Sequence, residues 1–299
     1  MAGLLGRAML LYFITEKPDG NSKMDEKFVK VDGINTRFSV NGGGPAVVLI
    51  HGLGEFKESW LLNMVAPGEK YTVYCLDLPG HGLSDYCAQD YTVGFFAKFV
   101  LDFMKELGIP HASLAGRSMG CHICLAAAID ASDRVDRLVL ADSWSFNPTA
   151  PLGYRLAALP VLGRLSLGPP ALVNKTTVAL ATRRQFYNRS EIPAAWLEAA
   201  VKHLKRPHRN EMLQKLIRNN IASNRENYLV KLQSKLADLK KPVLIVHGLQ
   251  DRVINVEHAH AISKSIPGAT LKIIDRCGHN PQLEKPQEFN RLVVDFLSS

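Results

Sequence analysis

A chain of 299 residues, 46% hydrophobic and 21% charged, is long enough for one large α/β domain carrying an insertion and allows a sizeable core. Its five cysteines (Cys75, Cys87, Cys121, Cys124 and Cys277) are odd in number and fall mostly in or beside apolar runs. That excludes a disulfide framework and points to reduced core thiols in a cytoplasmic protein. The net charge of +8 comes with no nucleic-acid-binding motif, which excludes nucleic acid as an expected partner, and no repeat or low-complexity tract stands out.

Residues 1–26 open the chain with an apolar segment, Met1 to Ile14, in which only Arg7 is charged. The segment is shorter than the roughly 20 apolar residues that span a bilayer, and it lacks a small-residue cleavage site. It reads as a helix docked on the body, with a shallow peripheral membrane contact as the alternative. Ala46–Ile50 and Val73–Leu76 read as short buried strands. The first is followed by the loop His51-Gly52-Leu53-Gly54, the second by the loop from Asp77 to Asp85.

Ala112 to Ala115 reads as a strand end and Met119 to Ile129 as a helix packed on it. Between them lies Gly116-Arg117-Ser118-Met119-Gly120, whose letters alone are weak but whose context is strong. A serine at a strand-to-helix junction is forced onto a sharp turn with its hydroxyl exposed, and flanking glycines leave room for close backbone approach. Such a serine needs a base to take its proton and an acid to hold the base's tautomer. Arg137–Ala141 reads as the next strand and ends at Asp142.

The segment 144–235 then interrupts the strand–helix alternation. Its first half carries Pro148, Pro151, Pro160, Pro169 and Pro170, which forbid a long helix. Its second half turns helical: Ser190 is placed to cap a helix with Pro193 in its first turn, carrying Trp196, Leu197, Ala200, Val201 and Leu204 at helical spacing. A second helix follows through Met212, Leu213, Leu216, Ile217 and Ile221. The residues Leu156, Leu159, Val161, Leu162, Leu165, Val178, Leu180, Phe186 and Trp196 are expected to line an apolar pocket, although lid-to-body packing explains many of them equally well. This segment holds fifteen Lys or Arg against four Glu, a net +11, and leaves −3 for the rest of the chain. The excess suits anionic substrates or membrane surfaces, and solvated helix faces explain it as well. Beyond it, Lys241–His247 and Ala269–Asp275 read as two more strands, the first followed by Asp251 and the second by Gly278-His279. Nucleophile, acid and base therefore come from three segments, each just past a strand end.

On these motifs the chain resembles the α/β-hydrolase family from about residue 27 to its end. The His51–Gly54 loop is similar to the family's oxyanion loop, the Asp77–Asp85 loop to its second signature loop, and Gly278-His279 with Glu284 and Pro286 to its histidine loop. Two positions depart from the pattern: Cys121 stands where a further glycine is usual, and Asn255 where a proline often follows the acid loop. The resemblance implies a mostly parallel central sheet flanked by helices, with 27–143 and 236–299 as the hydrolase core and 144–235 as a helical cap over the nucleophile. It implies Ser118 as nucleophile, Asp251 and His279 as acid and base, and the backbone N–H groups of Leu53 and Met119 as the oxyanion hole.

Asp142 is the alternative acid, because some relatives place it there. His51 and His81 read as structural loop histidines. Cys121 and His122 read as a packed helix start, since no further ligands complete a metal site. Glu55 is either a group that orients water or substrate, or a solvated loop carboxylate. The activity expected is hydrolysis of a small-molecule carboxylic ester with a substantial apolar part, with no cofactor and no metal. Alternatives are a carbon–carbon bond hydrolase of the meta-cleavage type and, from another class, a ligand receptor on a hydrolase scaffold. A serine in the elbow disfavours an epoxide hydrolase or haloalkane dehalogenase, whose nucleophile is aspartate. A cap rich in cations disfavours a proline iminopeptidase.

Overall fold

The computed structural model describes residues 25–144, 158–159, 169–222 and 232–299. Eight strands join in one sheet: β1 Lys27–Val31, β2 Ile34–Asn41, β3 Ala46–Ile50, β4 Thr72–Leu76, β5 Ala112–Arg117, β6 Val135–Ala141, β7 Val243–Gly248 and β8 Thr270–Ile274. Their spatial order is β1-β2-β4-β3-β5-β6-β7-β8. From β3 onward all neighbours are parallel, while β2 pairs antiparallel with both β1 and β4. The sequence reading carries no strands at the β1–β2 edge. Its signal is Asp32-Gly33, both at positive φ (45° and 80°), the dipeptide of a tight hairpin turn.

The helices that matter here are α1 Val93–Glu106, α2 Met119–Asp130, α3 Lys175–Thr182, α4 Ala194–Leu204, α5 Arg209–Ile217, α6 Glu257–Ser265 and α7 Pro286–Leu297. Strand side chains alternate between two cores, as a period of two requires. Val48, Ile50, Leu114, Leu138 and Ile245 pack with Phe96 and Phe103 of α1 and with Ile123 of α2. Val47, Leu49, Ala115, Val139 and Val246 face the other way, onto Trp60 and onto Phe289 and Val293 of α7. Helix α2 is buried from Met119 to Ala128, because it is wedged between the sheet and α1 and has no solvent face.

Helices α3 to α5 lie in the segment expected to be the cap. Phe186, Trp196, Ala200 and Val178 form a third core with Phe56, Leu61 and Leu283 of the body. Val178, Phe186 and Trp196 are therefore packing residues and not pocket lining, and Leu159 and Leu180 are 47% and 58% exposed. Of the other expected lining residues, Leu156, Val161, Leu162 and Leu165 lie outside the described residues, as does the N-terminal segment to residue 24. Ser190 does not cap α4. It sits in a short turn, Arg189–Glu191, bonded to Asn188, and Pro193 itself is the cap. The cause is steric: a residue before proline is pushed out of the helical region, and Ile192 is extended (ψ 116°). Some of the positive charge of residues 144–235 docks this segment to the body, since Arg206 donates to the carbonyls of Gly82 and Ser84 and lies 4.7 Å over the Tyr86 ring. No helix among the described residues is long and apolar enough to cross a membrane.

The chain leaves β3 toward β4 on one side and returns to β5 on the other. The crevice at the carboxyl ends of β3 and β5 is therefore the place where an open parallel sheet binds ligands.

Candidate active site

Strand β5 ends at Arg117 and α2 begins at Met119, so Ser118 alone makes the turn between them. It takes φ 53° and ψ −116°, a conformation that L residues avoid unless their surroundings enforce it. Two bonds enforce it here: Ser118 N donates to Ala141 O at 2.9 Å, and Cys121 N donates to Ser118 O at 3.0 Å. The turn is tight enough that a Cβ on Gly116 would lie 2.3 Å from the Gly120 backbone, and one on Gly120 would lie 2.3 Å from Ile50 O. Only backbone stands in the way, so nothing flexible can yield. Gly120→Ala is expected to destabilise the fold by about 3 kcal/mol, read by chemical denaturation. Unchanged stability would mean that the elbow is looser than described.

His279 follows β8 and is buried. Its Nδ1 lies 2.6 Å from Asp251 Oδ2. That bond places the proton on Nδ1 and leaves the Nε2 lone pair free to accept. Asp251 follows β7, and its second oxygen accepts from Val253 N at 2.7 Å and Ile254 N at 2.9 Å, which fixes the carboxylate plane. Burial alone would raise the Asp251 carboxyl, but the charge and hydrogen bond of His279 outweigh it and hold it below the usual carboxylate range. Burial lowers the basicity of His279, and the Arg117 charge lowers it further. Among the hydrogen bonds of the described residues, none joins Ser118 to His279. Such a contact commonly tightens only when substrate binds.

Asp142, the alternative acid, ends β6 in the same cluster, and ligand atoms of Asp142, Asp251 and His279 all lie within 4.8 Å of one another. Its Oδ1 accepts from Gly248 N at 3.0 Å and lies 3.6 Å from His247 Nδ1, while Oδ2 has no partner among the described residues. Burial and then the charge of Asp251 push its carboxyl well up, toward the protonated form. The bond to His279 is made by Asp251. This trio is the one described cluster whose spacing could hold a metal ion, but its donor set reads as a hydrogen-bonded acid–base group, with His279 Nδ1 already spent on Asp251.

Leu53 follows β3 and Met119 follows the elbow. Neither amide is spent on a hydrogen bond among the described residues, whereas the Gly52 amide beside them donates to Glu55 at 3.0 Å. Two unspent backbone donors beside a nucleophile are what a developing oxyanion needs. His51 accepts from Leu78 N at 3.1 Å and His81 contacts Pro79 O at 3.1 Å, so both hold the signature loops together. Cys121 Sγ donates to the carbonyls of Gly116 and Ala141, and His122 contacts Trp144 O at 2.8 Å.

The roles of Arg117 and Gln185 go unread in the sequence, and Glu284 is read there only as part of the histidine-loop motif. Arg117 pairs with Glu55 and donates to the His279 carbonyl, so Glu55 is neither a solvated carboxylate nor free to orient water. A charged residue at the end of a fully buried strand is the signal for such a pair, because a buried charge needs a partner. Glu284 accepts from Gly278 N at 3.0 Å, Asn280 N at 3.2 Å and Tyr187 N at 2.6 Å, and Gln185 O accepts from His279 N at 2.7 Å. These bonds tie the histidine loop to the cap segment. Burial holds the Glu284 carboxyl up at about 7, against the three amides that favour its charged form.

A sequence profile of the alpha/beta hydrolase fold matches residues 45–286. The dihydrolipoyllysine-residue acetyltransferase component of the acetoin cleaving system of Cupriavidus necator is 33% identical, over 91% of this chain and 68% of its own length. A 2-hydroxy-6-oxononadienedioate/2-hydroxy-6-oxononatrienedioate hydrolase of Cupriavidus pinatubonensis is 28% identical, over 91% of this chain and 95% of its own. Among solved structures, a membrane phospholipase A superposes with a TM-score of 0.75 at 27% identity, covering 99% of this chain and 94% of that one.

Proposed function

The chain belongs to the alpha/beta hydrolase family, and on that premise we propose that it is a serine hydrolase of carboxylic esters with an apolar acyl or alcohol part. The observation that carries the reading is the 2.6 Å bond from Asp251 to His279, at strand ends beside the strained Ser118. In this reading Ser118 Oγ attacks the ester carbonyl while His279 Nε2 takes its proton. The negative charge that forms on the carbonyl oxygen is stabilised by the amides of Leu53 and Met119, each worth about 3 kcal/mol of transition-state binding. His279 returns the proton to the departing alcohol, then takes one from water, whose oxygen attacks the acyl group; that proton passes to Ser118 Oγ as the carboxylic acid leaves. No step calls for a cofactor.

Carbon–carbon bond hydrolysis is the second reading, supported by the dioate hydrolase relative and by the net +11 of residues 144–235. A dioate substrate needs free cations in the site. Among the described residues, Arg117, a cation beside His279, is occupied by Glu55 and the His279 carbonyl, and Arg206 by two loop carbonyls. That favours the neutral ester, as does a neighbour named as a phospholipase. The membrane contact of the N-terminal segment and basic cap remains part of the proposal, and liposome flotation tests it.

A series of nitrophenyl esters run beside a meta-cleavage dienoate separates the readings. Each buried methylene contributes about 0.8 kcal/mol, so kcat/KM is expected to rise about fourfold per carbon from acetate to medium chains and then fall. A flat or steadily declining profile would mean a small polar pocket. Faster turnover of the dienoate would give the function to carbon–carbon hydrolysis, and binding without turnover of either would favour a receptor.

A further inference from the structure

The guanidinium of Arg117 spans three loops. Its Nε and Nη2 donate to the carbonyl oxygen of His279 at 3.1 and 2.6 Å, and its Nη1 donates to Glu55 Oε1. The other oxygen of Glu55 accepts from Gly52 N at 3.0 Å, one residue before the proposed oxyanion donor Leu53. Both side chains are buried, 3% and 8% exposed. Nucleophile elbow, oxyanion loop and histidine loop therefore meet at one ion pair.

We propose that Arg117 and Glu55 are paired positioning residues that hold His279 and the Leu53 amide in register with Ser118. The proposal rests on His279 being the general base. Geometry supplies the first reason. The neighbouring Gly52 leaves just enough room, since a Cβ there would lie 3.0 Å from both Arg117 Nη1 and Glu55 Oε2. A planar fork with fixed N–H directions can bond one carbonyl twice and a carboxylate once, which an ammonium cannot.

Electrostatics supplies the second. The charged and titratable groups packed around His279 are Asp251 from the loop after β7, Arg117 from β5, Glu55 from the loop after β3 through Arg117, Asp142 from the end of β6, His247 of β7 beside Asp251, and Glu284 from the turn after β8, bonded to Gly278 N. Beyond burial, Arg117 disfavours the imidazolium, while Asp251 and Glu55 favour it. The clamp therefore carries opposing charges whose effects on His279 offset each other. Losing one member must move the base in a direction set by the charge that remains.

The test compares four variants by kcat, KM and the acidic limb of kcat/KM, with thermal unfolding as the folding control. Arg117→Met removes a positive charge and strands Glu55, so the acidic limb is expected to move to higher pH. Glu55→Gln removes the negative charge and leaves Arg117 uncompensated, so the limb is expected to move to lower pH. The double variant is expected to bring it back toward wild type while kcat stays low. Arg117→Lys keeps the charge but not the fork, so the limb is expected to stay near wild type with kcat still reduced. The loss in kcat is expected to approach 10²-fold, the size of an ångström-scale misplacement, with KM little changed. Should Arg117→Met fail to fold, Glu55→Gln and Arg117→Lys carry the comparison. Limbs that stay fixed or move together, or a kcat at the wild-type level, would overturn the proposal. Fluorophosphonate labelling of wild type and Ser118→Ala runs alongside: if the alanine variant still labels, the underlying serine reading has failed, not the clamp.

Discussion

Ser118→Ala is expected to abolish ester turnover and fluorophosphonate labelling while leaving the fold in place. The magnitude follows from what remains. The Leu53 and Met119 amides would still polarise a bound carbonyl, but no group would attack it, and removing a nucleophile from a triad typically costs about 10⁶-fold in kcat. The fold should survive because the elbow does not depend on the hydroxyl. Ser118 is held by its backbone, through Ala141 O and Cys121 N, and its side chain caps nothing in α2. Alanine meets the same backbone strain at φ 53°, so circular dichroism and unfolding should match wild type. Retained labelling or turnover in a folded variant would remove Ser118 from the mechanism, and with it the acyl-enzyme.

The parallel half of the sheet is legible in the sequence because it is buried on both faces. Ala46–Ile50 and Ala112–Ala115 are continuous apolar runs, and each becomes the strand expected, with β5 running on to Arg117. The antiparallel edge is harder to see. Lys27–Val31 mixes two lysines with three apolar residues without a clean alternation, and only the Asp32-Gly33 turn declares it. In the candidate site, the residues proposed to carry the chemistry stand out from motif and order. Their supports stand out less. Glu284 is legible as part of the histidine loop through Gly278 and Asn280, but its bond to Tyr187 N, 97 positions away, and the Arg117–Glu55 pair, which spans 62 positions, leave no local pattern. For a related reason, packing and not pocket lining accounts for Val178, Phe186 and Trp196 among the described residues. Apolarity marks Phe186 and Trp196 for burial without saying whether a ligand or Phe56 covers them. The start of α4 shows propensity yielding to sterics, since a capping serine cannot act across Pro193.

The acid is where sequence leaves two candidates and geometry divides them, so Asp251→Asn and Asp142→Asn make the decisive pair. Asp251 accepts from His279 Nδ1 at 2.6 Å and is held ionised. An amide in its place would face Nδ1 with either a carbonyl or an N–H and carries no charge to stabilise the imidazolium. The wrong tautomer would put the proton on Nε2, where Ser118 needs a lone pair, and such a change costs about 10⁴-fold in kcat. Burial and the Asp251 charge push Asp142 toward its protonated form, and its Oδ1 serves Gly248 N. Asparagine is nearly isosteric with a protonated carboxyl and keeps that acceptor, so Asp142→Asn should cost far less. The two carboxyls also explain each other. Ionising both would set like charges against each other within 4.8 Å, which favours the charge on the one bonded to the imidazole and the proton on the other. If Asp142→Asn proves the more damaging, Asp142 is the working acid, and the Asp251–His279 bond belongs to a state that substrate rearranges.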